Sequence, residues 1–102
     1  MNCNQTTICG KLNKLGALRY TPAGVAVIEF GISHTSNQIE AGMSRKVNCD
    51  ISAVALAQIA IIISEIRPGT LVKLTGFLAR KSQMSFQLVL HVDNVVQPLS
   101  GK

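Results

Sequence analysis

The residues of this sequence best suited to chemistry are two pairs of basic residues and one arginine that stands next to a tyrosine. Arg19 and Tyr20 stand directly before a Thr21–Gly24 turn, and Arg45–Lys46 and Arg80–Lys81 follow along the chain. Cations can bind phosphates and flat rings can stack on bases, so this combination is typical of surfaces for single-stranded nucleic acid. The net charge of +5 also favours an anionic partner, with nucleic acid ahead of a membrane surface.

The other polar residues do not form the groups that catalysis or metal binding needs. The sequence contains no nucleophile–base constellation and no glycine-rich phosphate loop, and its five carboxylates are scattered. His34 and His91 lack Cys or acidic neighbours at metal-ligand spacing. We therefore expect a protein that is not an enzyme and that carries no cofactor and no metal.

Composition predicts a single domain over residues 1–102 in the cytoplasm. The 47% hydrophobic content supplies one core, and the apolar run 51–63 is too short to span a bilayer. Cys3, Cys9 and Cys49 are an odd number without metal spacing, and the polar start lacks the apolar region of a signal peptide. Both features favour a reducing compartment.

Turn residues divide the chain into five predicted strands. The Pro22 and Gly24 positions suit a tight turn that opens a long apolar strand. The predicted strands are Thr6–Leu12 with a bend at Gly10, Val25 to about Thr35, Arg45–Ile51, Thr70–Lys81 and Phe86–Val96. Residues 15–20 could continue the first strand after a kink, and Gly76 suits a tight corner in the fourth.

Two segments between these strands are assigned by composition. The polar residues 36–44 with Gly42 read as a loop. Segment 52–66 is compatible with helix or strand, because its alanines favour helix and its isoleucine run favours strand. We predict a helix capped by Ser52 or Asp50, because the segment exceeds a typical strand and stops at Pro68. Five strands with a helix after the third predict an all-β, five-stranded OB-fold barrel.

This barrel would place most of the cations on one surface. The third strand's outer face and the loop between strands four and five are common OB-fold binding surfaces. The candidate DNA-binding residues are Lys14, Arg19, Tyr20, Arg45, Lys46, Asn48, Arg80 and Lys81. Phe30 and Phe86 fall on apolar strand faces and are predicted core residues. Binding is therefore expected to be mainly electrostatic.

The outer face of the fourth strand carries Lys73, Thr75 and Phe77. An outward Phe needs a cover, which another part of the chain or a second subunit could supply. We predict that these three residues form a homodimer interface.

The motifs together resemble the PriB family of primosomal replication proteins. The resemblance rests on Arg19–Gly24, Glu29–His34, Glu40–Gly42, Cys49, Val72–Lys81 and Leu88–His91. It implies an OB-fold homodimer without catalytic activity that binds single-stranded DNA. It also implies primosome partners, namely a restart helicase, which such proteins stimulate at stalled forks, and the loader of the replicative helicase.

Two other interpretations of the sequence stay open. General single-strand-binding proteins share the first hairpin, but they typically end in an acidic tip, which residues 96–102 lack. A module that acts mainly through protein contacts, with weak DNA binding, would use Met43 and Phe77 as interface. The sequence does not separate a DNA ligand from an RNA ligand.

Overall fold

A computed structural model describes residues 1–97 as six strands and one helix. In chain order these are β1 (Thr6–Asn13), β2 (Arg19–Tyr20), β3 (Ala26–Glu40), β4 (Met43–Leu56), α1 (Ala57–Ser64), β5 (Leu71–Arg80) and β6 (Leu88–Val96). The five long strands close into a barrel, since β1 pairs with both β3 and β5, and β4 joins β3 to β6. The predicted OB-fold barrel is therefore confirmed.

The barrel interior is filled by alternate apolar residues of its strands. The largest fully buried side chains are Leu12, Ile28, Ile32, Ile63, Leu74, Leu90 and Val72. Each such side chain stabilises the fold by about 1.5–3 kcal/mol relative to exposure. Phe30 is also buried, as predicted, and Ala60 and Ile63 of α1 join the same cluster. Among residues 1–97 no helix is long and apolar enough to cross a membrane.

Two glycines let the strands approach closely enough to close the barrel. β1 changes partner from β5 to β3 near Gly10, where an added Cβ would collide with the Ser33 carbonyl oxygen. At Gly76 the β5–β6 register shifts, and a Cβ there would collide with the His91 carbonyl oxygen. The predicted bend and corner are thus both confirmed, and larger residues would force the strands apart.

The Pro-Ala-Gly turn joins β2 to β3 as a small hairpin. The Gly24 amide donates to the Thr21 carbonyl at 2.8 Å, and the Thr21 amide donates to the Val25 carbonyl at 2.9 Å. Gly24 has a φ of 85°, which glycine adopts without the steric cost of a Cβ. Of residues 15–20, only Arg19 and Tyr20 form a strand, and this short strand pairs with the start of β3.

The loop predicted for residues 36–44 is wrong. β3 runs to Glu40 and β4 starts at Met43, so Ala41 and Gly42 alone form the tip, both with positive φ. The ladder between the strands satisfies the backbone, while nearly all of the side chains face water. The polar composition of this segment therefore reflects exposure on both faces rather than the absence of a strand.

The helix predicted for residues 52–66 is wrong in its first part. β4 continues to Leu56, because Ala53 and Ala55 are buried opposite Phe30 and Ile28 of β3. The helix begins at Ala57 without a side-chain cap, so neither predicted cap is used. Pairing of β4 with β3 and β6 outweighs the helix preference of these alanines, which tertiary context commonly overrides.

Phe86 is not in the core and not in a strand, contrary to the prediction. β6 begins at Leu88, and Phe86 is 88% exposed in the loop that follows β5. The apolar alternation of Leu88, Leu90 and Val92 suggested a longer strand, but only Leu90 and Val92 are buried. This face of β6 lies in the barrel interior only along the part of the strand that both β4 and β5 cover.

Candidate nucleic-acid interface

A groove of about 480 Å³ crosses the outside of the barrel. Its floor comes from residues 29–31 of β3 and 50–54 of β4, and β6 contributes Val89 and His91. The segment after β1 forms one side, and the β5–β6 loop contributes to another. Three cations that the sequence predicted as binding residues meet here, namely Lys14, Arg80 and Lys81.

Lys14 is held at the groove by the way in which β1 ends. It directly follows the last residue of β1 and has a φ of 46°, in the left-handed region. Two residues later the Gly16 amide donates to the Glu29 carbonyl at 2.8 Å, which fixes this segment to β3. The backbone therefore places an exposed ammonium group beside the groove floor.

Arg80 and Lys81 are positioned by a folded β5–β6 loop. The Lys81 amide donates to the Gln87 carbonyl at 2.9 Å, and the Ser85 amide donates to the Ser82 carbonyl at 3.2 Å. The Arg80 guanidinium donates to the Gln83 carbonyl at 3.3 Å. These bonds hold the base of the loop against the groove.

The acidic residues of the groove have partners other than its three cations. Glu29 accepts from Arg19 at 2.8 Å, and Asp50 accepts from the Ser33 hydroxyl at 2.8 Å. Within residues 1–97 the ion pairs are Arg19–Glu29 and one between Arg45 and Glu40. Lys14, Arg80 and Lys81 thus form no ion pair in this part of the chain, so their charges are available to phosphates.

The hairpin of β3 and β4 projects from its last pairing with β1, which is at Ser33, and we call residues 33–50 the distal ribbon. Directly paired residues share a face of a sheet, and successive residues alternate. Lys46 and Asn48 therefore lie on the same face as Asp50, which lines the groove. Asn48 accepts from the Thr35 hydroxyl at 2.8 Å. This face of the ribbon extends the groove.

Two predicted residues lie away from that face. Arg45 is on the opposite side of the ribbon from Lys46, where its guanidinium is 2.6 Å from the Glu40 carboxylate. Tyr20 is exposed but alternates with Arg19, so its ring is directed to the other face of β2. Arg19 itself lies at the groove edge, because it forms an ion pair with Glu29, which lines the groove.

The predicted dimer residues lie on the outer side of β5. Lys73 and Phe77 are exposed, while Thr75 is partly buried and its hydroxyl lies 3.3 Å from that of Thr7. The Phe77 ring stacks on His91 with 5.0 Å between ring centroids. A hollow of about 220 Å³ beside them is lined by Val54, Leu56, Ile59, Phe77, His91, Val92 and Asp93.

Sequence reasoning missed the apolar neighbours of Phe77. The sequence predicts one long helix that includes Leu56 and Ile59, whereas the structure changes from strand to helix between them, beside β6. The available signal was the spacing of Ala53 and Ala55, which suits one face of a strand and leaves Leu56 on the other face. The structure adds Leu56, which is 47% exposed, to an apolar patch around Phe77.

The two histidines take part in structural contacts. His34 Nδ1 donates to the Cys9 carbonyl at 2.7 Å, and its Nε2 lies 2.8 Å from the Ser36 hydroxyl. His91 stacks on Phe77. Across residues 1–97 no group of three or more His, Cys, Asp or Glu side chains could hold a metal ion.

A closed five-stranded barrel with a cationic groove between its loops defines an OB-fold of the single-strand-binding class. A family model described as another single-strand binding protein family matches residues 4–94. The replication restart protein PriB of Nitrosomonas europaea is 47% identical over 92 residues, which cover 90% of this chain and 85% of that protein. PriB of Bordetella pertussis is 36% identical over 90 residues, covering 88% and 84%.

A solved structure agrees with these sequence matches. PriB from Ralstonia solanacearum superposes with a TM-score of 0.83 at 32% identity, over 91% of this chain and 95% of that chain. The chain therefore belongs to the PriB family of replication restart proteins.

Proposed function

We propose that the protein binds single-stranded DNA in the groove and acts in replication restart. The observation that carries the proposal is that Lys14, Arg80 and Lys81 line one groove without an ion pair in residues 1–97. The groove lies beside loops that OB-folds use for ligands. Membership of the PriB family supports the role in restart.

Binding through this groove is chiefly a phosphate interaction. Each neutralised phosphate of a single strand contributes ~0.7 to the slope of log K against log salt, so three contacts give a slope of about −2. Lys46 and Asn48 offer further contacts where the strand leaves the groove along the distal ribbon. A tenfold rise in salt then weakens binding about 100-fold.

The protein would act by binding rather than by catalysis. Its partners in this proposal are a restart helicase and the helicase loader of the primosome, in the cytoplasm. The family match to single-strand-binding proteins supports a binding role. A protein of this kind holds DNA beside an enzyme that does the chemistry.

We propose further that two copies associate through the outer side of β5. The apolar patch of Phe77 and Leu56 supports this interface, because such surfaces commonly mark protein contacts. Phe77→Glu would place a charge in the interface, so we expect monomers in sedimentation. Met84→Glu, at an exposed loop position, serves as control and should remain dimeric. Dimers of the Phe77→Glu variant would move the interface elsewhere.

Fluorescence anisotropy of a labelled oligo-dT, titrated with protein across a salt series, tests DNA binding. We expect micromolar affinity at low salt and a slope of about −2. Arg67→Ala, which removes an exposed cation outside the groove, should leave that slope unchanged. Absence of binding at low salt would overturn the proposal.

A protein-contact module is the second candidate, and the ribbon tip favours it. Ile39 is 74% exposed and Met43 is 72% exposed, which suits contact with another protein. This candidate predicts that Ile39→Ser with Met43→Ser weakens stimulation of a restart helicase while leaving oligo-dT binding unchanged. Equal loss of both activities would instead make the tip part of the DNA surface.

A further inference from the structure

The β5–β6 loop presents an aromatic ring that the core does not use. Phe86 is 88% exposed, whereas Phe30 is buried, Phe77 stacks on His91 and Tyr20 lies on the other face of β2 from Arg19. Exposing a full phenyl ring to water is unfavourable, and a folded loop does not require it. The ring is therefore the aromatic group of this chain most open to a ligand.

Arg80 connects this ring to the groove. Its guanidinium carbon lies 5.2 Å from the Phe86 ring centroid, within the range of a cation–π contact. The same arginine lines the groove beside Lys81. The contact occupies one side of the ring, and the exposure of Phe86 leaves the other side open.

The loop fixes the backbone beside this ring through its own hydrogen bonds. The Gln87 amide donates to the Ser85 hydroxyl at 3.0 Å, and the Gln87 carbonyl accepts from the Lys81 amide at 2.9 Å. Phe86 is thus flanked by residues whose backbone is fixed. A ring held before the ligand arrives loses less conformational freedom on binding.

We propose that Phe86 is a base-stacking platform at the rim of the groove. A base stacks on the open face of Phe86, while Arg80 and Lys81 bind the adjoining phosphates. This inference rests on the proposed binding of single-stranded DNA. Stacking is sequence-tolerant and is worth ~1–3 kcal/mol per base, which at 1.4 kcal/mol per tenfold is about fivefold to 150-fold in affinity.

A tryptophan reporter tests the platform directly, because the chain has no Trp. We expect the fluorescence of Phe86→Trp to be quenched by oligo-dT but not by an abasic deoxyribose-phosphate tract of the same length. Met84→Trp is the matched control, since Met84 is 95% exposed in the same loop, while the Arg80 guanidinium lies over the Phe86 ring. Its fluorescence should change little with either ligand.

Phe86→Leu measures the energy of the contact. We expect oligo-dT binding to weaken about fivefold to 150-fold, with the salt slope and the affinity for the abasic tract unchanged. Failure of the wild-type protein to bind oligo-dT would overturn the proposed function. Wild-type binding together with an unquenched Phe86→Trp and an unweakened Phe86→Leu would overturn the platform alone.

Discussion

The chain contains two pairs of adjacent basic residues, Arg45–Lys46 and Arg80–Lys81. The pairs differ in how many of their charges are free of an ion pair. On the distal ribbon Arg45 is bound to Glu40 and faces away from Lys46. At the end of β5 both cations line the groove, and neither forms an ion pair within residues 1–97. Two pairs of the same composition therefore differ in their capacity for phosphate binding.

Local geometry explains the difference. Regular strand structure sends neighbouring side chains to opposite faces, so a basic pair inside the ribbon is split. The two-residue tip at Ala41 and Gly42 also brings Glu40 back beside Arg45. At Arg80 the strand ends and the chain folds into a loop, so alternation no longer separates the pair.

Among the variants that change charge, the largest effect is expected from Arg80→Ala with Lys81→Ala. Loss of two phosphate contacts lowers the magnitude of the salt slope by about 1.4 and weakens oligo-dT binding about 25-fold at about 0.1 M salt. Arg45→Ala with Lys46→Ala is the matched control and should cost at most about fivefold, because only Lys46 shares the groove face. Anisotropy titrations measure both. Equal losses from the two double variants would remove the distinction between the pairs.

A smaller change of opposite sign is expected from Glu29→Gln. This variant removes a negative charge from the groove and releases Arg19, so binding should strengthen by about fivefold at about 0.1 M salt. Glu40→Gln releases Arg45 on the far face of the ribbon and is the control, for which we expect no change in DNA affinity. The same titrations would contradict a role for Arg19 if Glu29→Gln bound no better than wild type.

The smallest effect is expected from Arg45→Ala alone. Its ion pair is exposed, with 64% of each side chain accessible, so its loss should lower the free energy of unfolding by less than about 1 kcal/mol. Urea denaturation measures this change, and DNA affinity should stay within about twofold of wild type. A larger loss of affinity would show that the far face of the ribbon also binds DNA.

Much of the fold could be predicted from turns and alternation. The Thr21–Gly24 turn, the bend at Gly10 and the corner at Gly76 each have local steric causes, so the residue types themselves indicate them. The state of residues 52–56 could not be predicted in this way, because Ala53 and Ala55 are strand only through pairing with β3 and β6. The length of β3 could not be predicted either, because its last residues are mostly polar and face water on both sides, a composition that is also typical of a loop.

The residue types of the candidate site and a shared surface for its cations could be predicted, but not which cations line one groove. Lys14 and the Arg80–Lys81 pair are far apart in the chain, and closure of the barrel brings them to one groove. The ion pairs of Arg19 and Arg45 depend on where β3 places Glu29 and Glu40.

The sequence by itself determined the OB-fold barrel, its turns and a surplus of cations suited to DNA, because these follow from local sterics and composition. Only the tertiary structure decided which cations are free and which ring is exposed. Phe86 belongs to an apolar pattern along the chain, yet it lies outside the barrel because β6 begins two residues later. Burial and ion pairing depend on residues distant in sequence, and those neighbours are set by the closed sheet.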